Sequence, residues 1–524
     1  MKKMRGVRSA LIAAMVSSGC GSDPKPVTPT PSRVSDTRGD WEDPGRYAAC
    51  QVFSVQGVEC GDPEVFTLDA CDKSSLAGLA RDGLYTLVYR DEREPPLISA
   101  GSLRLSPYGH LSSYRGVVPT RYHIDDERFY LSSTREISAS VSARDSLVGC
   151  RVEGTRLYGC FASCRNGKFT NYGTFMAERL TRRAGEAEAS GMRLVSESFV
   201  AQGLPVDVYV THGHAYVVSL PRGDIPGGLS VFDVSDPAAP VLKTTISLPR
   251  DNYWNGVWSK GNALYVASGD TGVITFDLTN PASPRLLRSL PSGKGAVNVH
   301  TVFVEGERLY AMAVSPVPKT LFFDIRQPTE PQLLGEYAEP GAGVDRNVGY
   351  PHDALALDGR LYINHWSGGY LVVDVSDPVE PRKLGAFTYP YATSHANAVG
   401  RFGDRLIAFE GGENWGAHLR VLDVTDPAKP VRIGEYKLSD NVSIHNMVLV
   451  GQRLYIAHYQ HGVRVLDVSV PETPREVAYY NTVRETDPHR GEDFYDGALG
   501  IRVPGDGYVY VIDTSRGLLI FPEP

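Results

Sequence analysis

Four histidines recur at one place in a repeating unit: His300, His352, His395 and His445. Three of them stand nine residues before Leu309, Leu361 and Leu454, and His395 stands eleven before Leu406, an offset that a hairpin two residues longer explains. A second set follows, His365 and His458 at equivalent positions, with Glu410 between them and His461 nearby. Neutral imidazoles and a carboxylate are suitable ligands for zinc, copper or iron. If these side chains converge, they can hold one divalent transition metal and serve an oxidoreductase or a hydrolase. Two other readings stay open: histidines that hydrogen-bond neighbouring strands, and a polar pocket without metal. Trp366 and Trp415 fall in loops after a second strand, where flat rings can form a platform for a sugar or a peptide. Gly-x-Ser-x-Gly, His-Glu-x-x-His, P-loop, Gly-x-Gly-x-x-Gly and Asp-rich calcium-loop signatures are absent from the sequence, which lowers the case for an enzyme.

The elements that position these residues come from the repeat itself. The frame Asp-apolar-x-x-Pro-x-x-Pro begins at Asp233, Asp277, Asp324, Asp374, Asp423 and Asp467, at spacings of 44, 47, 50, 49 and 44 residues. Such spacing suits four-stranded propeller blades and not helical repeats, which need long apolar runs of period 3.6. In the sixth unit the strands read as Asn446 to Val450, Arg453 to Ala457, Gly462 to Asp467 and Arg475 to Tyr480. The repeated Asp with its Ser or Thr caps the turn after the third strand, a cap that Arg326 weakens in the third copy. After six units come three strands, and Arg193 to Val200 can supply the missing one and close a ring of seven blades. The recurring histidines then stand where innermost strands begin, around the axis at one face. Most other aromatics, Trp254, Trp258 and Tyr459 among them, are expected to fill layers between blades.

The third strands, Leu371 to Pro378 most plainly, resemble the LVIVD repeat of bacterial and archaeal surface proteins, a family read as β-propellers. The tail from Ile444 to Phe521 is similar to propeller lipoproteins grouped as choice-of-anchor surface proteins. The resemblance covers about 204 to 521 and implies fold and location, since the family has no settled activity.

The chain begins with a cationic stretch and a short apolar run, Ala10 to Val16, read as an export signal over residues 1–19. The following Ser17-Ser18-Gly19-Cys20 resembles a lipobox, in which Cys20 is lipidated; residues 20–45 then form a Pro/Thr/Ser-rich tether. Cys50, Cys60, Cys71, Cys150, Cys160 and Cys164 lie within a segment of alternating strands spanning about 46–185. An even count in an exported chain reads as three disulfides, with fifteen pairings open. The expected fold is therefore all-β: a small disulfide-bearing antiparallel β-domain, then a seven-bladed propeller over 190–524. With 53 Lys+Arg against 61 Asp+Glu, a net charge of -8 in 524 residues, no basic field draws nucleic acid. The leading reading is a non-enzymatic, lipid-anchored protein of the bacterial cell envelope, at the outer membrane or cell surface. Its propeller face would bind an envelope protein or glycan, and it would touch the membrane through its lipid anchor alone.

Overall fold

The computed structural model describes residues 32–108, 112–114, 116–138, 140–183, 185–291, 297–484 and 494–524. The export signal and Cys20 lie outside the described residues. Among those residues the only helices are single 3-10 turns at Pro63–Val65 and Lys73–Gly78, and no helix is long and apolar enough to cross a membrane.

Six consecutive four-stranded meanders are followed by a seventh sheet of three strands, Ala498–Arg502, Tyr508–Asp513 and Gly517–Pro522. Ser196–Ser198 pairs antiparallel with Gly517–Pro522 as the outer strand of this last blade, so the two ends of the ring meet in one sheet and leave no open edge. The molecule is a seven-bladed β-propeller. Blade four shows how sequence becomes blade: Asp353–Leu357, Arg360–Asn364, Tyr370–Asp374 and Arg382–Thr388 run from axis to rim. Leu371, Val372 and Val373 are all buried because a blade is covered on both faces by its neighbours, which is why its third strand reads as a continuous apolar run. At the end of that strand Asp374 accepts from the Ser376 amide at 3.1 Å, and Asp233, Asp277, Asp324, Asp423 and Asp467 cap their turns alike. Arg326 does not weaken its copy. The donor is the backbone amide, at 2.9 Å from Asp324, and the guanidinium adds its own bonds to that carboxylate.

The cysteine-bearing region forms one open eight-stranded antiparallel sheet, whose longest strands are Phe129–Ser138, Val141–Glu153, Arg156–Arg165 and Lys168–Arg179. Disulfides Cys50–Cys160, Cys60–Cys164 and Cys71–Cys150 staple the preceding loops onto that sheet. Part of the stretch read as tether is instead structured. Ser32–Ser35 pairs in parallel with Arg382–Thr388 as a fifth strand on blade four, and Ala189–Ser190 adds to Arg475–Tyr480 of blade six. Pro/Thr/Ser composition cannot build a core, but an extended chain can borrow an existing sheet edge for its hydrogen bonds.

Buried arginines fix the segments that lead into the propeller. Arg420 and Arg464 hold equivalent positions in the third strands of blades five and six, and Arg516 precedes the third strand of blade seven; each is at most 1% exposed. Asp40 lies 2.8 Å from Arg420, Glu186 2.6 Å from Arg464 and Glu197 2.6 Å from Arg516. Each carboxylate comes from the chain that precedes the first full blade, and Glu197 lies in the Ser196–Ser198 strand that closes blade seven.

Candidate functional site

The four recurring histidines meet. His300 and His352 have ring centroids 4.1 Å apart, His352 and His395 4.1 Å, and His395 and His445 4.5 Å. Each stands five residues before the end of its innermost strand in blades three, four and six, and seven before it in blade five. The two extra residues lengthen the blade-five hairpin, Phe402 facing Arg405, so His395 stays level with the others. Together they line a cavity of about 430 Å³ in the channel.

Hydrogen bonds between blades hold the cluster from behind. The His445 Nδ1–H donates to the Leu499 carbonyl of blade seven at 2.9 Å, which leaves Nε2 with the lone pair. Thr301 Oγ1 donates to the His352 carbonyl at 2.7 Å, and Asn255 Nδ2 to the His300 carbonyl at 3.1 Å. The Nδ1 atoms of His352 and His395 are buried without a hydrogen-bond partner. Burial, reinforced by neighbouring imidazoles, lowers all four: His300 and His445 to about 4, His395 to about 3, His352 well below the ordinary histidine value. At neutral pH the cluster is uncharged and rich in lone pairs.

Glu413, which sequence reasoning missed, completes the group. Its carboxylate lies 3.7 Å from His395 Nε2 and 3.9 Å from His445 Nε2, and Tyr459 donates its hydroxyl to it. Burial raises its pKa, opposed by His445 and by the Tyr459 hydrogen bond. Glu413 belongs to no repeated frame, so only its place in the loop after a second strand signalled it. Asp207, Asp353 and Arg502 also line the cavity, the last stacked over Trp258 at 4.2 Å. Burial pushes Asp353 up to about 7, so it carries a proton part of the time at neutral pH.

The second set takes other work. His365 faces the Val348 carbonyl through Nδ1 at 2.7 Å, and His458 packs on His461 at 5.5 Å. Glu410 is fully buried against the Tyr389 hydroxyl at 3.1 Å and Arg420 at 3.8 Å. None of the three lines the cavity. His365 and His458 follow directly on their second strands and Glu410 lies within its own, Arg405–Gly412, and the channel side is taken by residues after them. Trp366 follows His365 and Tyr459 follows His458, both at positive φ, 44° and 42°. In that strained conformation each bridges to the next blade, and the rings cover the cluster: Trp366 stacks on His352 at 5.2 Å and Tyr459 lies 4.8 Å from His445. Trp366 is thus a wall behind the histidines. Trp415 packs against the core cluster of the disulfide-bearing domain, which includes Tyr130 and Cys150, and does not line the cavity.

Matches to the LVIVD repeat cover residues 203–247, 253–290, 353–388 and 444–482, which are blades one, two, four and six. The propeller carries LVIVD repeats. The repeat fixes a place and not a residue: the position held by histidine in blades three to six of this LVIVD propeller is Val206 in blade one and Asn255 in blade two. His300 and His395 sit in blades outside the matched LVIVD segments. No curated protein matches the chain. The crystal structure of the computationally designed Ika8 protein is similar at 10% identity and TM-score 0.44, over 63% of this chain and 99% of that one. That of Chaetomium thermophilum Sqt1 is similar at 12% identity and TM-score 0.41, over 62% and 87%.

Proposed function

We propose that the protein is an exported, lipid-anchored envelope protein whose propeller binds a glycan at the histidine-lined cavity. The observation that carries this is the cavity itself. Its volume of about 430 Å³ admits a small group and not the face of a protein, and Tyr253 and Tyr495, each 39% exposed, flank it with flat rings. Apolar ring faces above hydrogen-bonding His, Asn and Asp groups match the two kinds of surface a sugar ring offers. Export is supported by the three disulfides, which persist in an oxidising compartment, and anchoring by the lipobox-like Ser17 to Cys20.

Titration of the full chain with envelope oligosaccharides should show binding that Tyr253→Ala and Tyr495→Ala each weaken about tenfold, roughly the worth of one stacked ring. Binding unchanged in both variants overturns the glycan reading, and binding of peptides alone transfers the cavity to a protein partner. Cys20→Ser should release the protein from membranes; a wild type already soluble removes the anchor. A second reading, a metal-dependent oxidoreductase or hydrolase, is favoured by the imidazole cluster and stands only if that cluster holds a metal.

A further inference from the structure

We infer that His352, His395 and Glu413, flanked by His300 and His445, form a binding site for one divalent transition-metal ion. This rests on the reading that the channel cavity is the functional site. Among the described residues two groups of three potential ligands lie close enough to share an ion. One is Cys50, Cys71 and Cys150, whose sulfurs are consumed in disulfides. The other is His352, His395 and Glu413, whose ligand atoms all lie within 4.8 Å of one another. Donors in a tetrahedral shell at about 2.1 Å from an ion are about 3.4 Å apart, so the side chains must draw in by at most about 1.4 Å to close on one.

Three features favour an ion over water. First, His352 and His395 are 6% and 2% exposed, and each carries a buried Nδ1 with no hydrogen-bond partner. A ring nitrogen in that state forfeits a hydrogen bond that solvent would have supplied, and a Lewis acid restores the lost interaction. Second, the Glu413 side chain is 12% exposed and faces His395, His445 and the Tyr459 hydroxyl, and among the described residues no lysine or arginine pairs with it. A divalent cation would supply that missing partner. Third, the supports are those of a metal site: His445 donates its far nitrogen to a backbone carbonyl, and Tyr459 donates to Glu413. Nitrogen and carboxylate donors without sulfur select zinc, iron(II) or copper(II) over calcium or magnesium. The adjoining cavity leaves one side of the ion open to a ligand.

The test uses the full chain purified without a histidine tag, stripped by chelator, then reconstituted separately with Zn²⁺, Fe²⁺, Cu²⁺ and Co²⁺. Wild type should retain about one equivalent by elemental analysis, and the Co²⁺ form should show the visible bands of nitrogen and oxygen ligation. The pair His352→Ala with His395→Ala should hold less than about a tenth of an equivalent at an unchanged circular dichroism spectrum. Should that pair not fold, Glu413→Gln decides: same size, no charge, and affinity lowered at least about tenfold. Wild type below about a tenth of an equivalent, a folded histidine pair that keeps its metal, or Glu413→Gln with unaltered affinity each overturns the inference. Oligosaccharide titration of the metal-free chain separates the two readings. Sugar binding by a chain that takes no metal defeats this inference alone, and metal uptake without sugar binding leaves it standing while the glycan reading falls.

Discussion

Two rows of polar side chains are buried in neighbouring blades of this propeller, and they are treated in opposite ways. Along its side, Arg420, Arg464 and Arg516 each face a carboxylate from the chain that precedes the first full blade, Asp40, Glu186 and Glu197. At its axis, His300, His352, His395 and His445 face one another and a single carboxylate, Glu413, with two ring nitrogens left unpartnered. Arginine keeps its charge at any pH a protein meets, so burying it requires an anion, and the chain supplies one each time. Histidine escapes the same cost by giving up its proton, so its row survives burial with unused lone pairs. A charge-balanced row holds parts of the molecule together, even where nitrogens of Arg420 and Arg516 lack a hydrogen-bond partner. An unsaturated one is available to something that is not part of the chain.

The sharpest way to break this contrast is to unbalance the first row. Glu186→Ala removes the nearer of two carboxylates from the fully buried Arg464, leaving Glu476 at 3.5 Å, and should cost about 2 kcal/mol in denaturant unfolding, with part of the loss recovered when Arg464→Met is added. A loss under about 1 kcal/mol would show that the arginine row is not held by its carboxylates.

The second row should reveal itself through pH. His395, 2% exposed, titrates at about 3 in the folded chain and near 6.5 unfolded. Below pH 6.5 the unfolded state binds a proton that the native state refuses, so stability is full above 6.5 and declines as pH falls towards the folded value. For the metal-free chain the loss at pH 4.5 should be on the order of 2 kcal/mol for this ring, and His395→Asn should flatten the melting-temperature profile between pH 6.5 and 4.5. Identical profiles would mean that His395 is solvated and charged.

The smallest effect belongs to a third repeated set, the capping aspartates, which are partnered but near the surface. Asp374→Ala should cost about 1 kcal/mol, the net worth of the hydrogen bonds to Ser376, with the profile between pH 6.5 and 4.5 unchanged, because its lowered pKa acts only in more acidic solution. A cost as large as that of Glu186→Ala would erase the distinction between buried and surface pairing.

Most of the architecture was legible because it is periodic. Six Asp-Pro frames at near-constant spacing give blades, six full units plus three strands call for a closing segment, and Arg193 to Val200 contains the strand that closes the ring. The common level of the four histidines was legible for the same reason, including the offset of His395. The second set shows the limit: His365, His458 and Glu410 lie outside the cavity lining, one residue or a few away from Trp366, Tyr459 and Glu413, which do reach the cluster. A positive φ at Trp366 and Tyr459 turns the chain over at that step, and nothing in an aromatic residue announces such a conformation.

The sequence by itself therefore determined the repeat, the number of blades, the all-β class, the presence of three disulfides and the register that sets one histidine per blade at the channel. These follow from local rules of alternation, turn chemistry and cysteine parity that operate over a few residues or one repeat. Only the tertiary structure decided the disulfide pairing, the carboxylate given to each buried arginine, the docking of Ser32–Ser35 on blade four and the arrival of Glu413 among the imidazoles. Those contacts join residues as far apart in the chain as Asp40 and Arg420, and their partners are selected by burial and charge after the ring has closed.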